Sequence, residues 1–315
     1  TLKDNLSGIM FEISQTKLFI FALSMIVLIL SLAIKTFGLH VFLRECDPKY
    51  KWTNTFRLTL ISQFLNGITP FQTGGQPFEV YLLKKQGIRI SDSTSALIKD
   101  FIAYQIALIF TGVIALIINA CLGIIKVGYG INWLIFLGFL VNFIVLAVLL
   151  MIISPKEKNI NVRRKIIGFL FKLKPIKKLE NKKEEIEEGL DRFYESGKQL
   201  RKEKKHLFIA ILSNFITLIL LYIIPYIIFK SLGVSNVTIL SSISITAFVM
   251  LIGNFVPIPG ATGGLEYSFV HFFGVLIIKS SVLSGAMLLW RFVTYFLGMI
   301  LGFICLVVTK GVERK

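Results

Sequence analysis

The chain is poor in charge, in cysteine and in histidine. Only 17% of its 315 residues are Asp, Glu, Lys or Arg, while 55% are hydrophobic. Ordinary soluble domains carry about 25% charged residues. With a mean hydropathy of +0.75, this much apolar surface exceeds what a globular core of this size can hide, which excludes a soluble enzyme, and the same numbers exclude a disordered chain. The three cysteines, Cys46, Cys121 and Cys305, are far apart and form no CxxC pair. His40, His206 and His271 show no HxxxH spacing, so no structural metal site is expected. No Ser/His/Asp set and no GxxxxGKS loop is present. The chain is therefore not expected to be an enzyme or to carry a cofactor. Acidic residues are scarce as well, 18 against 35 Lys and Arg, giving +17. No nucleic-acid motif accompanies this charge, so nucleic acid is not an expected partner. Basic residues that collect on cytoplasmic loops and orient membrane spans explain it instead. The first residue is Thr1 rather than Met, as in a processed or trimmed N-terminus, and no signal-peptide pattern follows it.

What the chain does have is long apolar runs. An apolar stretch of about 20 residues spans the hydrocarbon core of a bilayer. Five such runs are legible, at about 17–43 (interrupted by Lys35), 100–123, 131–153, 207–229 and 282–308. Ahead of them Leu2, Leu6, Ile9, Met10 and Ile13 make one apolar helical face, which predicts an interfacial helix. Residues 154–205 break the pattern with 17 Lys and Arg against 9 Asp and Glu. There Leu179, Ile186, Leu190, Phe193 and Leu200 recur at helical steps, as in an amphipathic helix with a solvated charged face.

Two breakers interrupt the apolar pattern, and they match. Pro70-x-x-Thr73-Gly74-Gly75 returns as Pro259-x-x-Thr262-Gly263-Gly264, an offset of 189 residues. Downstream, Asp100-Phe101-x-x-Tyr104 parallels Arg291-Phe292-x-x-Tyr295 at an offset of 191. The apolar runs that open the two stretches begin near 17 and 207. Three echoes in one order at nearly one offset argue for duplication.

Charge gives the direction. The 154–206 loop, the C-terminal tail, 44–57 and 84–99 all carry basic clusters and read as cytoplasmic, whereas 124–130 and 230–236 carry one Lys each and read as external. If 44–57 and 84–99 lie on one side, 55–90 must enter the membrane and return. The same count makes 237–278 a hairpin from the opposite side, although 237–256 also suits a full span. The expected fold is an all-α polytopic membrane protein of about five full spans with two re-entrant helical hairpins in an inverted-topology repeat. Its parts are an interfacial segment 1–16, a first unit 17–123 with hairpin 55–90, a linking span in 124–153, a basic cytoplasmic loop 154–206, a second unit 207–308 with hairpin 237–278, and a cytoplasmic tail 309–315. Irregular backbone at membrane depth is tolerated only when buried in protein or lining a wet cavity, which points to the hairpin tips as the site.

Ionisable groups within the membrane are costly and so are functional candidates. Glu79 and Glu266 follow the two tips, near helix N-termini whose free N–H groups stabilise a carboxylate or bind an anionic ligand such as phosphate. Glu79 equally suits a capping role. Asn66 and Asn254 precede the tips and suit exposed carbonyls there. Gln72, Gln76, Thr73 and Thr262 add hydrogen-bonding capacity. Pro70, Pro257 and Pro259 break the helices at the tips, and Gly74, Gly75, Gly263 and Gly264 let the backbone approach a ligand. Lys99 and Asp100 lie either inside the next span or at its interface. Arg291 sits among Leu288, Leu289, Trp290, Phe292 and Val293, where it could pair with Glu266 or hold a phosphate bidentately. Lys35 is a further candidate of the same kind.

The stretches Asn66-Gly67-Ile68-Thr69-Pro70-Phe71-Gln72-Thr73-Gly74-Gly75-Gln76-Pro77-Phe78-Glu79-Val80-Tyr81, Pro257-Ile258-Pro259-Gly260-Ala261-Thr262-Gly263-Gly264-Leu265-Glu266 and Trp290-Arg291-Phe292 resemble the membrane region of lysylphosphatidylglycerol synthases, also called the flippase-like or UPF0104 domain. In the multiple peptide resistance factor that region is described as flipping aminoacylated phosphatidylglycerol between leaflets. The resemblance implies a lipid transporter of the plasma membrane, with membrane lipids as partners. It leaves open a homo-oligomer and a separate lipid-modifying enzyme. The family's aminoacyl-transferase domain has no counterpart before Lys315, so lipid aminoacylation is not expected of this chain. One span that usually precedes the segment near residue 17 has no counterpart either. The expected mechanism is a polar cavity between the tips, with Glu79, Glu266 and Arg291 engaging a lipid head group. The alternatives are a solute or ion transporter that uses the same tips, and an accessory subunit of a lipid-modifying enzyme.

Overall fold

The computed structural model describes residues 6–69, 75–125, 129–153, 204–253, 256 and 258–313. Every element among them is helical: α1 (Leu6–Ser14), α2 (Leu18–Cys46), α3 (Trp52–Ile68), α4 (Gly75–Lys85), α5 (Ile90–Leu122), α6 (Tyr129–Ile153), α7 (Lys204–Ser231), α8 (Ile239–Gly253), a 3-10 turn (Pro259–Ala261), α9 (Gly264–Phe273), α10 (Ser280–Arg291), a π turn (Phe292–Leu297) and α11 (Gly298–Glu313). The basic loop expected at 154–206 lies outside the described residues up to 203, as does the amphipathic helix expected there, and Lys204–His206 open α7.

Four helical stretches, Leu18–Cys46, Ile90–Leu122, Lys204–Ser231 and Ser280–Val308, are long and apolar enough to cross a membrane. The last is the continuous rod α10–π–α11. The run expected as a fifth span forms α6, a helix of 25 residues with no charged side chain. At 1.5 Å per residue, α3, α4, α8 and α9 reach only about 26, 16, 22 and 15 Å, short of a hydrocarbon core of about 30 Å. Leu18, Phe19, Phe110, Phe143, Phe208 and Phe303 stand exposed, as lipid-facing side chains do.

Four helix starts follow the edges of apolar runs rather than capping chemistry. Lys17, Lys51, Arg89 and Lys279 precede α2, α3, α5 and α10 in extended backbone, and none caps its helix with a side chain. Long basic side chains suit an interface, where the stem lies in apolar surroundings and the ammonium reaches water. One boundary differs from the expectation. The span expected at 100–123 starts at Ile90, so the stretch read as a loop over 84–99 is a loop only at 86–89. No breaker interrupts 90–99, and Ser93, Ser95 and Ala96 turn inward there. Tyr50, in the α2–α3 connection, donates to Gln86 in that short loop. Burial and the nearby Asp47 charge push its phenol above the ordinary range.

The helices pair in an orderly way. α2 and α7 run antiparallel along their length. Lys17 N–H donates to Ser231 O at 2.9 Å at one end, and Thr217 Oγ1 donates to Ser31 O at 3.2 Å midway. At the other end Glu45 meets His206 at 2.8 Å. α3 packs along α11, and α8 packs along α5. Each helix–break–helix element thus lies against the closing rod of the other half. α2 packs on α3 as α7 packs on α8, and α6 covers α5 and α8. Several interhelical polar bonds run from short side chains to backbone, as apolar surroundings favour. Pro225 interrupts α7. There Ser242 of α8 enters the ladder, accepting from Tyr226 N–H at 3.0 Å and donating to Tyr222 O at 2.7 Å. Ser244 donates to Ala115 O at 3.0 Å.

Candidate functional site

The second break meets the end of the helix that precedes the first. The Pro259–Ala261 turn packs on α3, and Tyr295 OH donates to Gly67 O near the end of α3 at 3.0 Å. Around the second break a compact lock forms. Gly263 precedes α9 at φ 88° and Glu266 lies in its first turn. Glu266 Oε2 accepts from Gly263 N–H at 2.6 Å, so this carboxylate serves an orphan amide at a helix start. Its other oxygen meets Arg291 Nε at 2.7 Å. Arg291 Nη2 donates to Gly260 O at 2.9 Å, and the guanidinium lies over the Tyr295 ring, 4.4 Å from its centroid. Gly260 is at φ 64°, and a Cβ there would come within 2.3 Å of that ring. Only glycine combines that backbone with that contact.

Arg291 is 5% exposed. Among the described residues two of its five N–H groups have partners, and a guanidinium is the donor best matched to a carboxylate or phosphate. The π turn begins at the next residue, and such turns are frequent at functional sites. Of the other second-tip candidates, Thr262 is exposed and donates back to Pro259 O at 2.8 Å. At Gly264 a Cβ would strike Val256. Asn254 and Pro257 lie outside the described residues.

At the first break Asn66 Oδ1 accepts from Gly75 N–H at 2.9 Å. Asn66 therefore serves an amide at the start of α4, where a carbonyl had been the expectation. Gln76 and Pro77 are exposed. Pro70, Gln72, Thr73 and Gly74 lie outside the described residues. Glu79 is not a cap. It is buried in the second turn of α4 and accepts from Ser62 of α3. Lys35 on α2 lies within electrostatic reach of both Glu79 and Asp100. Asp100 Oδ1 accepts from Asn214 Nδ2 of α7 at 3.1 Å. Thr36 and Thr59 join α2 to α3 beside this cluster at 3.2 Å, and His40 meets Thr55 at 2.9 Å.

Lys99 is buried against the last turn of α2 and the first turn of α7. It is 4% exposed and meets Glu45 Oε2 at 2.7 Å, while Glu45 Oε1 meets His206 Nδ1. The structure thus joins Glu266 with Arg291, and gathers Glu79 and Asp100 around Lys35. Glu79 and Glu266 belong to different clusters. Sequence reasoning did not single out Ser62, Glu45, His206 or Asn214. A lone Asn inside the apolar run 207–229 was the legible signal for the last, and the Arg291-x-x-x-Tyr295 echo was the signal for Tyr295. Among the described residues no group of three His, Cys, Asp or Glu side chains is placed to hold a metal ion.

A family model described as the lysylphosphatidylglycerol synthase TM region matches residues 3–302. A UPF0104 membrane protein of Methanocaldococcus jannaschii is 26% identical over 277 residues, which cover 83% of this chain and 76% of that protein. No solved structure matches the chain.

Proposed function

The chain belongs to the family of lysylphosphatidylglycerol synthase TM regions and is a multi-pass membrane protein; from that premise we propose that it moves a polar-headed lipid between the leaflets of the plasma membrane. The observation that carries this reading is the lock between the two breaks. A buried Arg291 is held by Glu266 and by the Gly260 carbonyl, and one turn on Tyr295 reaches Gly67 of the other half. An anionic head group competes with Glu266 for Arg291, and exchange of one carboxylate or phosphate for another releases one break from the other. The lipid tails stay in the bilayer while the head group passes.

The architecture that suits this step is an inverted-topology repeat. In it α3–α4 and α8–α9 are re-entrant hairpins from opposite sides, and α2–α5 and α7–α11 are the two units. The antiparallel course of α2 and α7 and the reciprocal packing of each hairpin on the other unit's closing rod support it. Basic residues at 44–57 and at the C-terminus support a cytoplasmic side for the Glu45–Lys99–His206 end. Cysteines introduced near 85–95 then label from the cytoplasm and cysteines near 279–284 from outside; labelling of both from one side removes the inversion.

The activity is tested by scrambling of head-group-varied fluorescent lipids in proteoliposomes, with Arg291→Ala beside the unaltered protein. Movement of at least one phospholipid, lost in the variant, is the expected result. No movement of any lipid by folded protein removes the proposal. A substrate path sealed from the bilayer would favour a solute instead.

A further inference from the structure

The cluster on the first unit has more hydrogen-bond acceptors than donors. Asn214 is 1% exposed. Its Nδ2 donates to Asp100 Oδ1 at 3.1 Å and to Ala210 O at 3.0 Å, while its Oδ1 is buried without a partner. Turning the amide over would bring that oxygen against the carboxylate, two acceptors face to face. The α2 backbone closes the pair in, since a Cβ at Gly38 would stand 3.1 Å from Asp100 Oδ1 and 3.3 Å from Asn214 Nδ2. The same shortage recurs at Glu79. The Ser62 hydroxyl, with one proton, lies against both the Leu58 carbonyl and the Glu79 carboxylate. An ionised carboxylate offers only acceptors.

A proton on each carboxyl group removes both shortages. Protonated Asp100 donates to Asn214 Oδ1 while Asn214 Nδ2 donates to Asp100, closing a two-bond ring between acid and amide. Protonated Glu79 donates to Ser62 Oγ and leaves the Ser62 proton for Leu58 O. Charge calls for one of these two protons. One cation, Lys35, lies within electrostatic reach of two carboxylates, Glu79 buried and Asp100 half-buried, and among the described residues pairs directly with neither, so a first proton makes the group neutral and a second completes the hydrogen bonding.

The other groups around the cluster are engaged elsewhere. His40 on α2 meets Thr55, and Thr36 on α2 meets Thr59 on α3. Lys99 on α5 and His206 on α7 both meet Glu45. Lys84 and Lys85 stand exposed at the far end of α4. His206, Ala210 and Asn214 follow one face of α7 at four-residue steps, so a titratable group stands on that face between the helix end and the cluster.

We propose that Asp100 and Glu79 form an intramembrane proton-binding pair, with Lys35 as their shared counter-ion, that couples transport to a proton gradient. Each event is a proton transfer alone: the carboxylate takes a proton from water at one side and returns it at the other. The cargo rests on the reading above; the proton site does not. A sodium ion suits the cluster less, because it would stand beside the Lys35 ammonium and needs several oxygen ligands.

The test uses the whole chain in vesicles of phosphatidylethanolamine and phosphatidylglycerol, with a trapped pH-sensitive dye and a trace of fluorescent phosphatidylglycerol, under an imposed pH step. Proton entry several-fold above protein-free vesicles is expected, falling to the protein-free rate in Glu79→Gln and in Asp100→Asn. Both variants mimic the protonated group and should unfold in detergent at or above the temperature of the unaltered protein. Proton entry equal to that of protein-free vesicles, or unchanged in both variants, overturns the proposal. So does a response to a sodium step in place of the pH step, or a large loss of stability in both variants. Lipid movement in the same vesicles is a separate reading. Proton entry without lipid movement keeps the proton site and removes the lipid as cargo; lipid movement without proton entry does the reverse.

Discussion

The two helix–break–helix elements share one sequence motif and carry opposite electrical content. In α3–α4 the buried carboxylate Glu79 faces a hydroxyl, and the position that opens the echo on the following rod is Asp100. In α8–α9 the carboxylate Glu266 faces a guanidinium, and the echoed position on the following rod is Arg291 itself. The packing differs too. Residues 241–249 of α8 are all buried, enclosed by α5, α6, α7 and α9, whereas only six residues of α3 are buried. The matched motif marks where the chain turns; the residues around it decide which turn meets a cation and which meets acids. The enclosed element carries the locked ion pair, and the more open one carries the groups with unfilled acceptors.

The largest blow to this contrast is Arg291→Ala. It leaves Glu266 without its buried partner, and breaking such a pair costs about 3 kcal/mol or more. Thermal unfolding in detergent should show that loss, with most of it recovered in Arg291→Ala combined with Glu266→Ala. If Glu79→Gln costs as much, the two elements are electrically alike and the contrast fails.

Gly260→Ala comes next. The substituted residue must hold a left-handed backbone and displace the Tyr295 ring, so about 2 kcal/mol is expected, against about 1 kcal/mol for Gly87→Ala, where φ is +90° but a Cβ meets nothing within 4 Å. Equal effects would show that the ring makes no demand on Gly260. Ser242→Ala removes the hydroxyl that bridges the α7 ladder at Pro225, leaving Tyr226 N–H and Tyr222 O without it, for about 1–2 kcal/mol. Tyr295→Phe should be smallest in stability, about 1 kcal/mol for one hydrogen bond. It should nonetheless raise hydrogen exchange near Gly67, because that bond ties the second unit to the first break. Unchanged exchange there would mean the two breaks are held together by packing alone.

Much of the fold was legible because membrane helices announce themselves locally. The long apolar runs and the Pro/Gly breaks each lie within a few residues of the helices and interruptions observed. The start of α5 was not legible. Its first turns, Ile90 to Lys99, are polar enough to pass for a loop, and they are helical because α2 and α4 cover them. Lys99 shows the same limit: at the edge of an apolar run a lysine suits an interface, and only Glu45, 54 residues earlier, explains why it is buried.

The sequence by itself determined a multi-pass helical membrane protein with two matched interruptions, since apolar length and backbone-breaking residues act over a few neighbouring positions. Which polar group meets which was decided by the tertiary structure. Arg291 could have held Glu266 or stood apart, and Asn214 is 114 residues from the carboxylate it touches. Within an apolar surrounding each buried polar group must find a partner. The partners come from helices that the chain order separates and that only the antiparallel packing of the two halves brings together.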